Sequence, residues 1–178
     1  LGDASAASPW PTLHGSVGAI VTTFLVIPIV SKMAQKYGKK ETFIVSQSIS
    51  IIGYILFWFL FIPGKPYMFL FALPFFSFGI GGLFTLMMSM TADTCDYEEL
   101  ENGLPRKEGS FGAIYWWMVK LGTALAGLLS GLIMYYVGFA ADAASQPDGA
   151  LTGLRIAYST IPIIGTLIAI YVMSDYEI

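Results

Sequence analysis

Apolar residues gather along this chain into five long runs: Leu13 to Met33, Thr42 to Ile62, Tyr67 to Ala92, Phe111 to Val137 and Leu154 to Met173. Crossing about 30 Å of hydrocarbon takes about 20 residues at 1.5 Å each, and every run is of that order. The second and third hold no Asp, Glu, Lys or Arg. In lipid the backbone must close its hydrogen bonds within its own segment or in a closed barrel, and runs of this length exclude the shorter strands of a barrel. The pattern predicts an all-α membrane protein with five transmembrane helices. Pro28, Pro74 and Pro162 fall inside the runs, where they are expected to break or bend the helices.

The connectors are Lys36-Tyr37-Gly38-Lys39-Lys40, Pro63-Gly64-Lys65-Pro66, a polar stretch from Asp93 to Ser110, and Gly138 to Gly153. Short cytoplasmic loops collect Lys and Arg. Lys32, Lys36, Lys39 and Lys40 surround the first connector and Arg106 and Lys107 lie in the third, while the second has Lys65 alone and the fourth no base. Alternate connectors therefore face the cytoplasm, with the start of the chain outside and Asp175-Tyr176-Glu177-Ile178 inside. A multi-pass protein in contact with membrane lipid is expected, in the plasma (inner) membrane if bacterial. The one thiol, Cys95, is expected on the cytoplasmic side, reachable by a thiol reagent in inside-out vesicles and not from outside cells. The chain opens Leu1-Gly2-Asp3, without an initiator Met or a basic segment ahead of an apolar one. With its odd number of helices, it reads as a piece of a longer bundle.

Composition narrows the class. Of 178 residues 56% are hydrophobic and 12% charged, against roughly 25% charged in a soluble domain, so an ordinary soluble globule is excluded. A net charge of -3 supplies no basic field for a phosphate backbone, which argues against nucleic acid as a partner. With Cys95 and His14 each the only residue of its kind, an internal disulfide and Cys- or His-based metal clusters are excluded. No nucleophile with a base lies in the runs, so no catalytic residue is expected and an intramembrane enzyme is the least supported class.

One charge stands deep in a run. Lys120 is nine residues past Phe111, or roughly 13 Å into the hydrocarbon. A charge there costs between about 2.5 kcal/mol on insertion scales and more than 10 in simulations, so it should face the bundle interior or a watery cavity and meet a counter-charge or ligand. The other four runs offer no acid. Its partner is then a substrate, a carboxylate elsewhere in the protein, or nothing permanent; the competing reading is a lysine that snorkels to the interface. Trp116, Trp117, Thr123 and Ala124 lie three and four residues away, which sets indole rings and a hydroxyl beside the ammonium. Such a set suits a sugar, whose C–H faces stack on aromatics and whose hydroxyls need polar partners. Tryptophan is equally at home at a headgroup boundary. Gly127 and Gly131, with Ser130 between them, are expected to let helices approach closely.

A second cluster, Ala92-Asp93-Thr94-Cys95-Asp96-Tyr97-Glu98-Glu99-Leu100-Glu101, closes the third run. Acids at a helix C-terminus oppose the macrodipole, so cations should meet them, from the Lys32 to Lys40 loop or from another part of the protein. Pairing is expected for Asp93 and Asp96, and solvation for Glu98, Glu99 and Glu101.

The stretches Ala92-Asp93-Thr94-Cys95-Asp96-Tyr97, Glu108-Gly109-Ser110-Phe111 and Val119-Lys120-Leu121-Gly122-Thr123-Ala124 resemble helices ten and eleven of the glycoside-pentoside-hexuronide:cation symporters, the melibiose carrier group of the major facilitator superfamily. The resemblance implies five helices of a six-helix major facilitator half-bundle, the carboxyl-terminal half, with the amino-terminal half absent from this chain. It places Lys120 at the family's central-cavity lysine, and it implies a substrate-binding set of Lys120, Trp116, Tyr115, Thr123 and Phe84. It likewise implies a cytoplasmic inter-half charge network of Asp93, Asp96, Tyr97 and Glu108. No cofactor is implied in this chain; a coupling cation, Na or H, is expected at the amino-terminal half. The chain departs from the pattern in two places. The facilitator loop appears as Ser31, Gln35, Lys36, Gly38, Lys39 and Lys40 without its acid, and Tyr115, Trp116 and Phe84 replace residues of the melibiose carrier, which points away from melibiose. The implied function is secondary active transport, a cation-coupled symport of a sugar or glycoside by alternating access. A lipid or amphiphile carrier of the same superfamily and a non-transporting membrane scaffold are the alternatives.

Overall fold

The computed structural model describes residues 9–60, 62, 65–103, 105–140, 146, 147 and 149–176. Regular structure among the described residues is helical throughout: α1 Pro9–Val21, α2 Ile27–Tyr37, α3 Lys39–Leu60, α4 Leu73–Asn102, α5 Glu108–Tyr136 and α6 Ala150–Ser174. A π-helical turn, Thr22–Val26, joins α1 to α2, and a 3-10 stretch, Pro66–Ala72, leads into α4. Five helical spans are long and apolar enough to cross a membrane: Gly15–Tyr37, Lys39–Leu60, Tyr67–Asn102, Glu108–Tyr136 and Ala150–Ser174. The Leu1 to Asp3 opening, Pro63 and Gly64 of the second connector, and Glu177 and Ile178 lie outside the described residues.

Helix ends follow local chemistry rather than the change from apolar to polar composition. α4 runs to Asn102, ten residues past the expected stop at Ala92. Nothing from Asp93 onward breaks a helix until Gly103, which takes φ +62° and donates its N–H to the Glu99 carbonyl at 2.9 Å. This left-handed stop is one that glycine alone adopts without a Cβ penalty. The first connector is shorter than expected. Gly38, at φ +93°, is the one residue between α2 and α3, and its N–H donates to the Ala34 carbonyl at 3.1 Å.

The prolines behave differently from one another. Pro28 lies in the first turn of α2, directly after the π turn. It has no N–H to donate to the Phe24 carbonyl, and the wider turn ahead of it absorbs that missing bond. Pro74 lies at the start of α4, where a missing N–H is harmless. Pro162 sits inside α6, which continues through it.

The chain divides into two compact units, Leu1–Met88 with Ser159–Glu177, and Ser89–Tyr158. In the first, α3 meets the early part of α4 along a seam of small residues. A Cβ on Gly79 would stand 2.6 Å from the Ser50 Cβ, one on Gly82 2.6 Å from the Ser46 Cβ, and one on Gly53 2.7 Å from the Phe75 Cβ. Without a hydrophobic drive between helices in lipid, such close backbone approach supplies the attraction through dispersion and interhelical hydrogen bonds. Gln47 adds one of these, donating from Nε2 to the Gly79 carbonyl at 3.0 Å in a buried setting. At one end of the seam Phe76 stacks against Tyr54 and Phe57, with ring centroids 5.0 and 5.9 Å away. Gly81, one residue off the seam, faces the π turn instead, where a Cβ would come within 2.9 Å of Val26 Cγ1. Glycines on two sides let α4 lie close to both neighbours.

In the second unit α5 has no buried residue. Its least exposed side chains are Phe111, Tyr115, Val119 and Ile133, which fall on one side of the helix. Gly153 of α6 lies against Val137, where an added Cβ would stand 2.6 Å from Cγ1. Gln146 closes the loop ahead of α6 by accepting from the Ala140 N–H at 3.1 Å and donating to the Ala140 carbonyl at 2.7 Å.

Candidate functional site

The candidate residues fall into two groups, both in the second unit, with Phe84 apart. The first group is on α5. Lys120 is twelve residues from Glu108 and sixteen from Tyr136, about 18 and 24 Å along the axis at 1.5 Å per residue. It is exposed, and among the described residues it forms no ion pair. Residues rotate by about 100° each on an α-helix, so Trp116, Thr123, Ala124, Gly127 and Gly131 share the Lys120 side within about 60° of it. All of these are exposed. At Gly127 and Gly131 nothing lies within 4 Å of an added Cβ. The close approach expected there is found at Gly53, Gly79, Gly81, Gly82 and Gly153 instead.

Tyr115 does not join this group. Five residues back it stands about 140° around the axis from Lys120, on the half-buried side with Phe111 and Val119. Its ring meets the edge of Trp116 at a centroid distance of 5.4 Å, so it buttresses that indole from behind. The Thr123 hydroxyl donates to the Val119 carbonyl at 2.8 Å. That bond uses its one proton, and toward any ligand Thr123 can only accept. Trp117, 62% exposed, lies about 60° from Lys120 on the other flank. Phe84, on the part of α4 that belongs to the first unit, is exposed as well.

The second group surrounds the junction of α4 and α5. Arg106 bridges Asp96 at 2.6 Å and Glu108 at 2.7 Å, with Glu99 at 3.9 Å. Lys107 donates to Glu98 Oε1 at 2.6 Å. Within the second unit, the cations that meet Asp96, Glu98, Glu99 and Glu108 come from the connector itself. Glu98 and Glu99, expected to be solvated without partners, are engaged; the link from Asn102 to the first turn of α5 is short and carries both bases back over the last turns of α4. The placement of Glu108 in the first turn of α5 also suits the positive end of that helix. These pairs are partly exposed, so each contributes on the order of 0 to 1 kcal/mol. Asp93 is half-buried and Tyr97 exposed. Arg106 is not among the residues that the sequence pattern singles out; its spacing of ten residues from Asp96 and two from Glu108 gives no helical-face signal, since a loop intervenes.

Cys95 is 2% exposed. Its thiol lies inside the packing of α4, so its labelling reports access to that interior rather than the side of the membrane. Among the described residues no group of His, Cys, Asp and Glu could hold a metal ion.

Five long apolar helical spans, with Lys120 in the middle of one of them, define the chain as a helical membrane protein. A family model described as MFS/sugar transport protein matches residues 1–178, and the chain belongs to that family. It is an integral membrane protein of a transporter family and not an enzyme. It is 29% identical over 159 residues to a glucuronide carrier protein homolog of Escherichia coli (strain K12), covering 89% of this chain and 34% of that protein. It is 31% identical over 142 residues to a putative sulfoquinovose importer of the same organism, covering 79% and 28%. An isoprimeverose transporter of Lactiplantibacillus pentosus is 27% identical over 169 residues, covering 91% and 33%. The chain spans about a third of the length of these relatives. No solved structure matches it.

Proposed function

We propose that this chain is the carboxyl-terminal bundle of a cation-coupled sugar symporter, in which Lys120 and the indole of Trp116 bind the sugar and two half-bundles rock about it to expose the site alternately. The observation that carries the reading is the mid-span ammonium on an α5 face that also carries Trp116, Thr123, Ala124, Gly127 and Gly131, with Trp117 on its flank. Small residues leave the lysine and the indole standing proud of a smooth stripe, and a pyranose needs a flat aromatic face and room beside it. A glucuronide carries a carboxylate and sulfoquinovose a sulfonate, groups that an ammonium attracts; the names of two relatives therefore favour acidic sugars first. Phe84, on the part of α4 in the first unit, remains a member of the substrate-binding set that the family resemblance implies, and in this reading the cation is bound by the amino-terminal half. Uptake by the full-length protein tests it: a panel of uronides, sulfosugars, neutral glycosides and a lysophospholipid, each with a Na or proton gradient imposed and collapsed. Gradient-dependent accumulation of a sugar is the expected result. Uptake of the lysophospholipid alone would replace the sugar reading with an amphiphile carrier, and no uptake of anything with a scaffold.

The acids at the α4–α5 junction act as a cytoplasmic gate in the same mechanism, with Asp93, Asp96, Tyr97 and Glu108 as its members and Arg106 as the base that joins Asp96 to Glu108. Asp93→Asn with Asp96→Asn in the full-length protein is expected to shift the balance toward inward opening by about 1 to 3 kcal/mol. Accumulation slows more than binding weakens, measured as the uptake rate against ligand-induced thermal stabilisation. Unchanged uptake removes the gate.

A further inference from the structure

We propose that Thr123 sets the hydrogen-bond specificity of the α5 site: it is the one side-chain acceptor on a face of donors, so a sugar seated there must present a hydroxyl proton to it. This rests on the sugar reading given above and adds a rule for which hydroxyls the site requires. From Trp116 to Ala124 the exposed polar groups on the Lys120 side and its flank are the Lys120 ammonium, the indole N–H groups of Trp116 and Trp117, and the Thr123 hydroxyl. An ammonium has donor protons and no acceptor, and an indole N–H only donates. The Thr123 hydroxyl differs because its proton is already placed, on the Val119 carbonyl at 2.8 Å. Its oxygen keeps lone pairs for a ligand. Donating along that bond also polarises the hydroxyl and strengthens it as an acceptor.

The positions let one sugar meet all of these groups. Thr123 is three residues past Lys120 and seven past Trp116, about 4.5 and 10.5 Å along the axis, and about 60° around it from Lys120. Along the helix the ammonium therefore lies between the aromatic platform and the hydroxyl. The other aliphatic hydroxyls of α5, on Ser110 and Ser130, are each ten residues from Lys120, about 15 Å along the axis, beyond a single sugar held by the ammonium. Each hydroxyl of a pyranose both donates and accepts. Pressed against donors alone, a desolvated hydroxyl leaves its proton without an acceptor, which weakens binding by about tenfold or more. A carboxylate or sulfonate only accepts and suits Lys120 and the indoles, and the proton of a neighbouring sugar hydroxyl then goes to Thr123. The pair of Lys120 and Thr123 thus selects a sugar with an acceptor-only anionic group and a donating hydroxyl a few ångströms from it.

The test measures binding to the purified full-length protein, by ligand-induced thermal stabilisation, of methyl glucuronide and its 2-, 3- and 4-deoxyfluoro analogues, beside uptake of the same sugars into proteoliposomes. Fluorine replaces a hydroxyl at similar size and cannot donate. The wild type is expected to bind one of the analogues about tenfold or more weakly than the parent sugar. Thr123→Val keeps the branched shape and removes the oxygen. It should weaken the parent sugar by a similar factor and leave that analogue unchanged, so that the discrimination disappears, whereas Thr123→Ser should retain it. A threonine that acts only through packing would weaken all the ligands alike. Should Thr123→Val not be recovered folded, Thr123→Ala removes the same acceptor and reads the same coupling. Analogues that the wild type does not separate, or that either acceptor-free variant still separates, overturn the proposal. Where a neutral glycoside accumulates in place of the uronide, its own deoxyfluoro set is read in the same way. Accumulation of a sugar without this coupling sinks the Thr123 rule alone, and no accumulation of any sugar sinks the transport reading and the rule together.

Discussion

If the proposed function holds, Lys120→Ala in the full-length protein is expected to abolish concentrative sugar uptake while expression and membrane insertion are retained. Lys120 lies nine residues, about 13 Å along the axis, past the start of its apolar run at Phe111, deeper than its stem alone spans. Its presence therefore opposes insertion by about 2.5 kcal/mol or more, and its removal favours the inserted state. In the proposed site the loss expected is that of a charge-assisted contact to the sugar, about 1.5 to 3 kcal/mol, a tenfold to more than hundredfold fall in affinity. Lys120→Arg separates charge from shape: a planar fork replaces a compact ammonium, and uptake stays low if geometry governs and returns if charge alone does. The rotation of α5 sharpens the test. Trp116→Ala shares the Lys120 face and should raise KM, whereas Tyr115→Ala, on the half-buried side, should lower stability with KM little changed. Normal accumulation by Lys120→Ala would make the lysine a snorkelling residue and move the sugar site off α5.

The five spans were legible because hydrocarbon thickness sets a minimum run of apolar residues, and nothing else in a chain of this size produces five of them. Their ends were less so. The composition changes at Asp93, but the backbone of α4 stops only at Gly103, since leaving the membrane does not end a helix while a residue at positive φ does. Packing was misplaced for a related reason. The GxxxG spacing at Gly127 and Gly131 marks small residues but not what faces them, and there a Cβ would meet nothing. The contacts that matter fall on Ser46 against Gly82, Ser50 against Gly79 and Gly53 against Phe75, where serine takes the place of glycine and a GxxxG search finds nothing. For the candidate site, the lysine stood out by its energetic cost, and helical rotation sorts Trp116 from Tyr115 once the helix is established. Arg106 did not stand out, because its partners come from both sides of a turn whose path no periodicity encodes.

The seam between α3 and α4 carries the second large effect, through Gly82→Leu. A Cβ at Gly82 would lie 2.6 Å from the Ser46 Cβ and 3.0 Å from its Oγ, and a Cβ attached to a packed helix cannot swing aside as a long side chain can. The two helices must separate. Overpacking of this kind costs about 1 to 3 kcal/mol. Separation also stretches the bond from Gln47 to the Gly79 carbonyl, and a buried amide left without its partner adds about 1 to 3 kcal/mol. The full-length Gly82→Leu protein is expected to express poorly and to unfold in detergent well below the wild type. Ser46→Ala at the same contact should do the opposite or nothing: the Ser46 Oγ is buried and has no hydrogen-bond partner among the described residues, so removing it relieves an unsatisfied group without opening a cavity larger than one oxygen. Thermal unfolding of the two variants beside wild type decides between a seam held by close backbone approach and one held by side-chain hydroxyls. An unchanged midpoint for Gly82→Leu, or a large fall for Ser46→Ala, would mean the hydroxyls hold it.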